Sequence, residues 1–531
     1  MAADGVKGQG PRATGRERAD GPTTARSTET VNTGAPANRD AQGMPATGGG
    51  AGRRASAGLD LSQWKYLSGE AREPQMHAIV TVRADGTEDG GAAGPVLAQV
   101  LAVDCSSSMA YPQEKLRAAH QAAVAALRLL PDGTPFAVVR GSHSASVVYP
   151  ETETMVRADA RHRAEAERAV HRLIAGGGTC IGSWLDLSRR LLAEAEAPIG
   201  HVLLLTDGRN EHDQLMPLPD VLDACAGRFV CDAWGIGDGW DGRELLRVTS
   251  RLHGRASSVQ EEAALAREYE QLMHRLLAKS IPELVISVTP MAGAAVRYLK
   301  QVFPTEVELD PLDPGGEATR RFVTRAWGDE TRRYQLCLSA DPAGRPRGED
   351  LQLAVVSLDV PGGEVEVAPP LPCLVHWTDD EALSGYSDIH VEHFEQHQRL
   401  GEAVAAATDA HRDGERDLAQ QHLGTAVRLA HAIGADQSLG RLERLVEIDD
   451  PAAGRVRLRP GVAAVDFEHL ITASSHSTYG PASGAADALT PGSLIAGGPG
   501  AATARCAACD GRVPAAARFC PLCGHGLAGR P

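Results

Sequence analysis

Residues 96–108 read VLAQVLAVD-CSSS, and residues 201–208 read HVLLLTDG. Each is an unbroken apolar run that stops at an aspartate, as expected for a strand buried on both faces and ending at a loop of polar side chains. Between and beyond them strands and helices alternate. EKLRAAHQAAVAALRLL places Leu116, His120, Ala123, Leu127 and Leu130 at helical spacing. FAVVRGSHSASVVYP (136–150) reads as a hairpin around Gly141–His143. DARHRAEAERAVHRLI and CIGSWLDLSRRLLAEAEA are helical, and LPDVLDACAG is a third helix. RFVCDAWGIGD is a strand, GRELLRVTSRLHG a helix, RASSVQ a short edge strand and EEAALAREYEQLMHRLLAKS the closing helix. This alternation predicts an open, doubly wound, mostly parallel α/β sheet over residues 96–280.

Outward from this core the texture changes. Residues 1–60 carry Gly, Ala, Thr, Arg and Asp without a hydrophobic period and are expected to be disordered. MHAIVTVRADG, from Met76, alternates like a strand, so 76–95 reads as a strand leading into the β-region through a Gly-rich break. Residues 281–378 contain short strands separated by Pro, Gly and Asp turns, which predicts a β-sandwich-like region. Residues 379–450 are helical, a hairpin with Gly414 and Gly434 as helix stops. A short β or tail segment (451–471) and a Ser/Thr/Ala/Gly/Pro linker (472–504) lead to a small separate unit at 505–528.

With 531 residues, the chain has room for several domains, and 43% hydrophobic with 23% charged residues is globular composition. Aromatics are only 4%, so Leu, Val and Ala must carry the packing. Net charge −16 opposes binding of the whole chain to nucleic acid or an anionic membrane. The N-terminus has no apolar segment of the signal-peptide kind, and no run of about 18 apolar residues appears. Cys105, Cys180, Cys225, Cys231, Cys337 and Cys373 are scattered singly, which suits reduced thiols and not a disulfide framework. A cytoplasmic location is the expectation, and the Arg-over-Lys, Ala-rich composition suggests a bacterial source.

Ligands of doubly wound sheets sit beyond the carboxyl ends of the strands. Here those ends offer Asp104, Ser106 and Ser108 after the first strand and Asp207 after the second, with Gly176-Gly177-Gly178-Thr179 between them. Two carboxylates and three hydroxyls are hard oxygen donors, suited to Mg²⁺ or Mn²⁺. The glycines let the backbone bring Thr179 close. This arrangement resembles the metal-ion-dependent adhesion site of von Willebrand factor A domains. The family's Asp-x-Ser-x-Ser matches Asp104, Ser106 and Ser108, its Thr matches Thr179, and its later Asp matches Asp207. The resemblance covers roughly residues 96–280 and implies a Rossmann-like fold. It also implies a cation with an open coordination position, which an Asp or Glu of a protein partner fills.

Two enzymatic readings compete. Ser106 with Asp207 and His201 or His212 is a conceivable triad, but no GxSxG elbow accompanies it. A phosphatase built on the two aspartates needs a lysine and a second-metal set that the sequence pattern does not reveal. The expectation is therefore a protein-binding module and not an enzyme.

Cys506-Ala-Ala-Cys509 and Cys520-Pro-Leu-Cys523 are two Cys-x-x-Cys pairs ten residues apart. Four thiolates at tetrahedral geometry suit one structural Zn²⁺, whose binding would supply the folding energy of so short a segment. The unit resembles the zinc-ribbon family through Phe519–Gly524. Arg505, Arg512, Arg518 and Arg530 against Asp510 keep nucleic-acid contact as an alternative.

HAIVTV (77–82), AWGDETRRYQLCL (326–338) and VHWTDDEAL (375–383) extend the resemblance to bacterial cytosolic von Willebrand A proteins with a β-region and a helical hairpin. In that subgroup a Ser/Thr tail looks like a phosphothreonine ligand for forkhead-associated domains. Here it reads ITASSHSTYG, without a basic residue. The functional expectation is a divalent-cation-dependent protein-binding scaffold in bacterial intracellular signalling or assembly. Nucleic-acid association through the ribbon and a metal-dependent hydrolase at the strand ends are the alternatives.

Overall fold

The computed structural model describes residues 55–72, 74–85, 97–195, 197–207, 209–212, 214, 216–237, 239–259, 262–312, 319–362, 365–476, 503–505 and 512–514. Cys506, Cys509, Cys520 and Cys523 lie outside the described residues, as do residues 1–54 and most of the 472–504 linker.

Three strands come first: β1 (Ser56–Gln63), β2 (Tyr66–Ser68) and β3 (Gln75–Asp85). The doubly wound part follows as β4 (Leu97–Asp104), α1 (Gln113–Leu129), β5 (Pro135–Gly141), β6 (Ala145–Tyr149), β7 (Val156–Arg157), α2 (Ala160–His171), α3 (Ile181–Glu194) and β8 (Ile199–Thr206). It continues through α4 (Leu218–Cys225), β9 (Val230–Ile236), α5 (Gly242–Arg251), β10 (Ala256–Val259) and α6 (Glu262–Leu277). Its sheet runs β10-β9-β8-β4-β5-β6, with β7 also on β5; β10, β9, β8, β4 and β5 are parallel and the β5–β6 hairpin antiparallel. Strand order reverses at β4, so the crevice between the carboxyl ends of β4 and β8 is the topological switch point.

The apolar runs are continuous because the sheet is covered twice. Leu101, Val103, Leu203 and Leu205 face one cluster with α1, α2 and α6, while Val100, Ala102, Val202 and Leu204 face another with α3, α4 and α5. Odd and even positions thus serve opposite cores, as the period of two requires.

The chain then forms β11 (Ile281–Pro290), β12 (Ala294–Phe303), β13 (Val307–Leu309), β14 (Arg320–Trp327), β15 (Glu330–Ala340), β16 (Asp350–Asp359), β17 (Glu366–Val367) and β18 (Leu371–Thr378). These and the first three strands make two sheets, β13-β12-β15-β3-β1-β17 and β14-β11-β16-β18-β2. Val80 and Val82 of β3, Leu336 of β15, Ile286 of β11, Val356 of β16 and Trp377 of β18 share one buried cluster. Strand β3 pairs with β15 from Gln75↔Ser339 to Ala84↔Glu330. The doubly wound part is therefore inserted between β3 and β11 of the two-sheet body. Strand β1 corrects the expectation that 1–60 is disordered throughout. Its inward residues Ala57 and Leu59 show an alternation only once β3 is beside them.

Helices α7 (Glu381–Ser384), α8 (Ile389–Arg412), α9 (Arg416–Ala432) and α10 (Asp436–Leu442) follow. Gly414 and Gly434, at φ +80° and +66°, end α8 and α9 in the left-handed region that glycine favours. A hairpin of β19 (Val446–Asp450) and β20 (Arg455–Leu458) leads to α11 (Ala464–Ser474). This last helix corrects the reading of 451–471 as a short β or tail segment, and of 472 as the start of a linker. Thr472 is buried in α11, and the Thr472, Ser474 and Ser475 hydroxyls donate to its carbonyls. The helix is short and rich in β-branched residues, so its propensity is weak. Burial of Phe467, Leu470 and Ile471 in one cluster with α8 and α9 decides its state. Among the described residues no helix is long and apolar enough to cross a membrane.

Candidate metal centre

The parallel register of β4 and β8 sets Val103 beside Leu205, so the next residues, Asp104 and Thr206, leave the sheet side by side. Thr206 Oγ1 donates to Asp104 Oδ2 at 2.6 Å, and the Ser106 backbone N–H donates to Asp104 Oδ1 at 2.7 Å. The loop then turns so that alternate hydroxyls point inward. Ser106 Oγ and Ser108 Oγ lie 2.9 Å apart, and Ser108 Oγ donates to Asp207 Oδ1 at 2.7 Å. Asp104, Ser106, Ser108 and Asp207 are thereby brought into one hydrogen-bonded arc.

The glycine-rich loop is stitched to this arc by backbone bonds. Gly176 N–H donates to the Cys105 carbonyl at 2.7 Å, and Ser107 N–H donates to the Gly177 carbonyl at 2.8 Å. Gly177 has φ +95°, and a Cβ on Gly178 would overlap the His212 imidazole, so side chains at these two positions would force the loop away. Thr179 is buried next in the loop; its carbonyl accepts from the N–H groups of Glu211 and His212, both at 3.0 Å. Its hydroxyl makes no hydrogen bond to the four side chains of the arc, so of the five expected ligands it is the one held adjacent and not joined.

Lys115 was not anticipated. Its Nζ donates to Asp207 Oδ2 at 2.7 Å, with both side chains almost wholly withdrawn from solvent. The lysine stem runs against Gly237, where a Cβ would meet it at 2.8 Å, and its Nζ lies near Gly239. A signal existed in the sequence. A lysine in the first turn of a helix is misplaced with respect to the helix dipole, which favours acids there.

The electrostatics fit a cation. Burial pushes the Asp104 carboxyl above its ordinary range; hydrogen bonds from Ser106 and Thr206 oppose this, and the neighbouring Asp207 adds to it. Two close carboxylates with one ammonium remain under-neutralised, and the donors are hard oxygens of the kind Mg²⁺ takes. Among the described residues no group of three or more His, Cys, Asp and Glu side chains is placed to hold a metal ion; this centre has two carboxylates, with hydroxyls as its other donors.

Of the two histidines in the serine-triad alternative, His212 packs against Gly178 of the glycine-rich loop, and His201 lies away from the strand ends. His201 sits five residues before Thr206, roughly 16 Å back along the strand, with Nδ1 2.8 Å from Gln99 Oε1 and Nε2 2.9 Å from Asp232 Oδ2. All six described cysteines are free and buried, and burial pushes the Cys105, Cys225 and Cys373 thiols up to about 12.

Comparison with known proteins agrees with the fold. A model described as von Willebrand factor type A domain matches residues 98–258, and one described as von Willebrand factor type A C-terminal domain matches 428–474. An uncharacterized protein of Synechocystis sp., sll0103, is 27% identical over 222 residues, covering 40% of this chain and 50% of the relative. The chain thus spans about half the length of the curated relative it matches. The ArnB paralog VWA2 from Sulfolobus acidocaldarius aligns over 80% of this chain and 98% of its own at 12% identity and a TM-score of 0.46. The von Willebrand factor type A protein from Catenulispora acidiphila is 30% identical, covering 81% of this chain and 98% of that one with a TM-score of 0.72. Identity of that order, held over nearly the whole of a solved structure with the same architecture, makes this chain a member of the von Willebrand factor type A family.

Proposed function

We propose that the protein is a divalent-cation-dependent protein-binding scaffold and not an enzyme, working in a bacterial intracellular signalling or assembly complex. Mg²⁺, or Mn²⁺, is held by Asp104, Ser106, Ser108 and Asp207, with Thr179 joining through its hydroxyl or a water. A carboxylate of the protein partner completes the coordination. The observation that carries this reading is the arc itself: two acidic and two hydroxyl side chains from different strand ends, converging at the switch point.

The rim supports it. Tyr111 is 86% exposed on the loop that carries Ser108, and Ile174 is 76% exposed just before the glycine loop. Large exposed apolar side chains on both flanks of a charged centre suit a protein interface, where such anchors dominate the energy. The buried, unpaired thiols suit a reducing cytoplasm. Zinc at Cys506, Cys509, Cys520 and Cys523 is the second part of the proposal. A forkhead-associated partner is the subordinate reading, since Ser477 and Thr478 follow three and four residues after the last residue of α11.

Calorimetric titration of Mg²⁺ into the full-length protein tests the centre. Wild type should bind one ion; Asp104→Ala should bind none while keeping its fold, because the side chain ends a strand and fills no core. Capture of partners on immobilised protein should disappear with EDTA and with Asp104→Ala together. Capture indifferent to both would remove the metal from the mechanism.

A further inference from the structure

A cavity of about 430 Å³ lies between β10, α6, α10 and α11, well apart from the strand ends that carry Asp104 and Asp207. Its wall carries four arginines: Arg255 just before β10, Arg275 on α6, Arg441 on α10 and Arg444 just after it. Three carboxylates share that wall, and two are already committed. Asp232 takes His201 Nε2 at 2.9 Å and the Arg255 backbone N–H at 2.6 Å. Asp466 accepts from the Ala463 N–H at 2.9 Å, at the start of its own helix.

Arg255 and Arg275 make no ion pair among the described residues, and the Arg441 guanidinium reaches only the Ala473 carbonyl, at 3.5 Å. The arginines also feel one another. Burial holds Arg255 below its ordinary value and Arg275 adds to this; burial and Arg444 do the same to Arg441. His476, at the end of the described chain beyond α11, is held at about 4 by burial and by Arg255 and Arg441, and its Nε2 is buried without a partner. A chain of net charge −16 has many carboxylates with which to neutralise a basic cluster, yet here four arginines face three acids, of which Asp232 and Asp466 are engaged and Glu268 alone is left. The missing counter-charge is an anion.

The chemistry of that anion follows from the donors. Guanidinium forks pair bidentately with tetrahedral oxyanions, and the Ser257 side chain lines the same wall. The volume exceeds a bare ion and falls in the range of small-ligand sites, and Leu272, Leu445 and Leu470 give it an apolar side. We propose that this cavity binds a phosphate monoester, its dianion held by Arg255, Arg275 and Arg441 and its organic part lying against the leucines. The ester can be a free metabolite or a phosphorylated hydroxyl of this chain, since Ser477 and Thr478 directly follow His476.

Calorimetry on the full-length protein, with three probes, tests this. They are inorganic phosphate, adenosine 5′-monophosphate, and a peptide of residues 474–482 phosphorylated on Thr478. At least one should bind saturably. Arg275→Gln, at an exposed position where the fold is not at stake, and Arg255→Gln should each weaken that binding at least tenfold, with Mg²⁺ binding unchanged. Tightest binding of the mononucleotide identifies a free ligand. Tightest binding of the phosphopeptide, with none of its unphosphorylated form, identifies the chain's own segment. Absence of saturable binding for all three probes, or equal affinity in wild type and both variants, overturns the proposal.

Discussion

Lys115 poses the sharpest question about the candidate centre. An ammonium 2.7 Å from Asp207 Oδ2 supplies one positive charge where a divalent ion would supply two. It stabilises the two facing carboxylates without metal, and it repels an incoming cation. Lys115→Met should therefore raise Mg²⁺ affinity, by about tenfold if the repulsion is worth roughly 1.4 kcal/mol, and lower the stability of the metal-free protein. Calorimetry and thermal denaturation, each with and without Mg²⁺, read the two effects; unchanged affinity would mean that the lysine swings away on binding. The thiols offer a second check at this scale. With Cys105, Cys225 and Cys373 near 12, they stay protonated at pH 8, and reactivity follows the thiolate. Iodoacetamide followed by mass spectrometry of the native protein should spare the six buried cysteines. It should label four others only after a chelator is added, if zinc holds Cys506, Cys509, Cys520 and Cys523. Of the centre itself, Asp104, Ser106, Ser108 and Asp207 were legible, because a period-two loop leaving a buried strand restricts where its side chains point. For the lysine only its unusual place in a helix's first turn was legible; its partner, 92 residues away in sequence, was not.

Helix α11 shows why elements were less legible than motifs. Its sequence has little helical propensity of its own, and its role is apparent only against α5. Glu468, buried, accepts from the Gly242 N–H at 2.9 Å, at the first residue of α5, and pairs with Arg412 of α8 at 2.6 Å. An acid from one helix thus neutralises the N-terminal end of another, where the helix dipole favours negative charge. Glu468→Ala breaks two charge-assisted hydrogen bonds and should cost roughly 2–4 kcal/mol. Urea denaturation measures it, and a loss below about 0.5 kcal/mol would show that α11 docks through Phe467, Leu470 and Ile471 alone. The same dependence on partners hid β1, while the long runs of β4 and β8 declared themselves through apolar continuity.

At the scale of the whole molecule, the insertion between β3 and β11 was invisible to local pattern, because strand pairing across roughly 250 residues leaves no periodic trace. Both ends of the insert converge on one corner. Ala84, near the end of β3, pairs with Glu330, and the chain leaving α6 reaches the same place through Lys279 Nζ, 2.7 Å from Glu330 Oε1. Arg332, buried, donates to Glu330 at 2.6 Å and stacks 4.1 Å from the Trp327 ring centroid. Burial opposes the charge on Glu330, but Arg332 and Lys279 outweigh it and hold the carboxyl below its ordinary value. The sign follows: a depressed carboxylate contributes stability above its unfolded pKa and loses it as pH falls through the folded one. The melting temperature should drop below about pH 4.5, and Glu330→Gln should flatten part of that drop. At neutral pH the same substitution leaves Arg332 uncompensated and should cost about 3 kcal/mol; a neutral effect would show that Arg332 is satisfied by the carbonyls of Arg325 and Ala326.

That shared corner also constrains the order in which the polypeptide acquires its structure. Strand β3 must wait for β15, and while the intervening stretch is a random coil the two ends meet at an entropic cost on the order of 5 kcal/mol. Once the inserted part has formed, its ends already lie together and the cost is gone. Synthesis from the N-terminus would therefore leave β3, paired with β1 on one side, open along its other edge until the insert is complete and β15 has emerged. Until then that edge is exposed and in search of a partner. A nascent chain stalled between α6 and β15 is the species a chaperone would be expected to hold, and a stretch of rare codons placed there would be the place to look for aggregation.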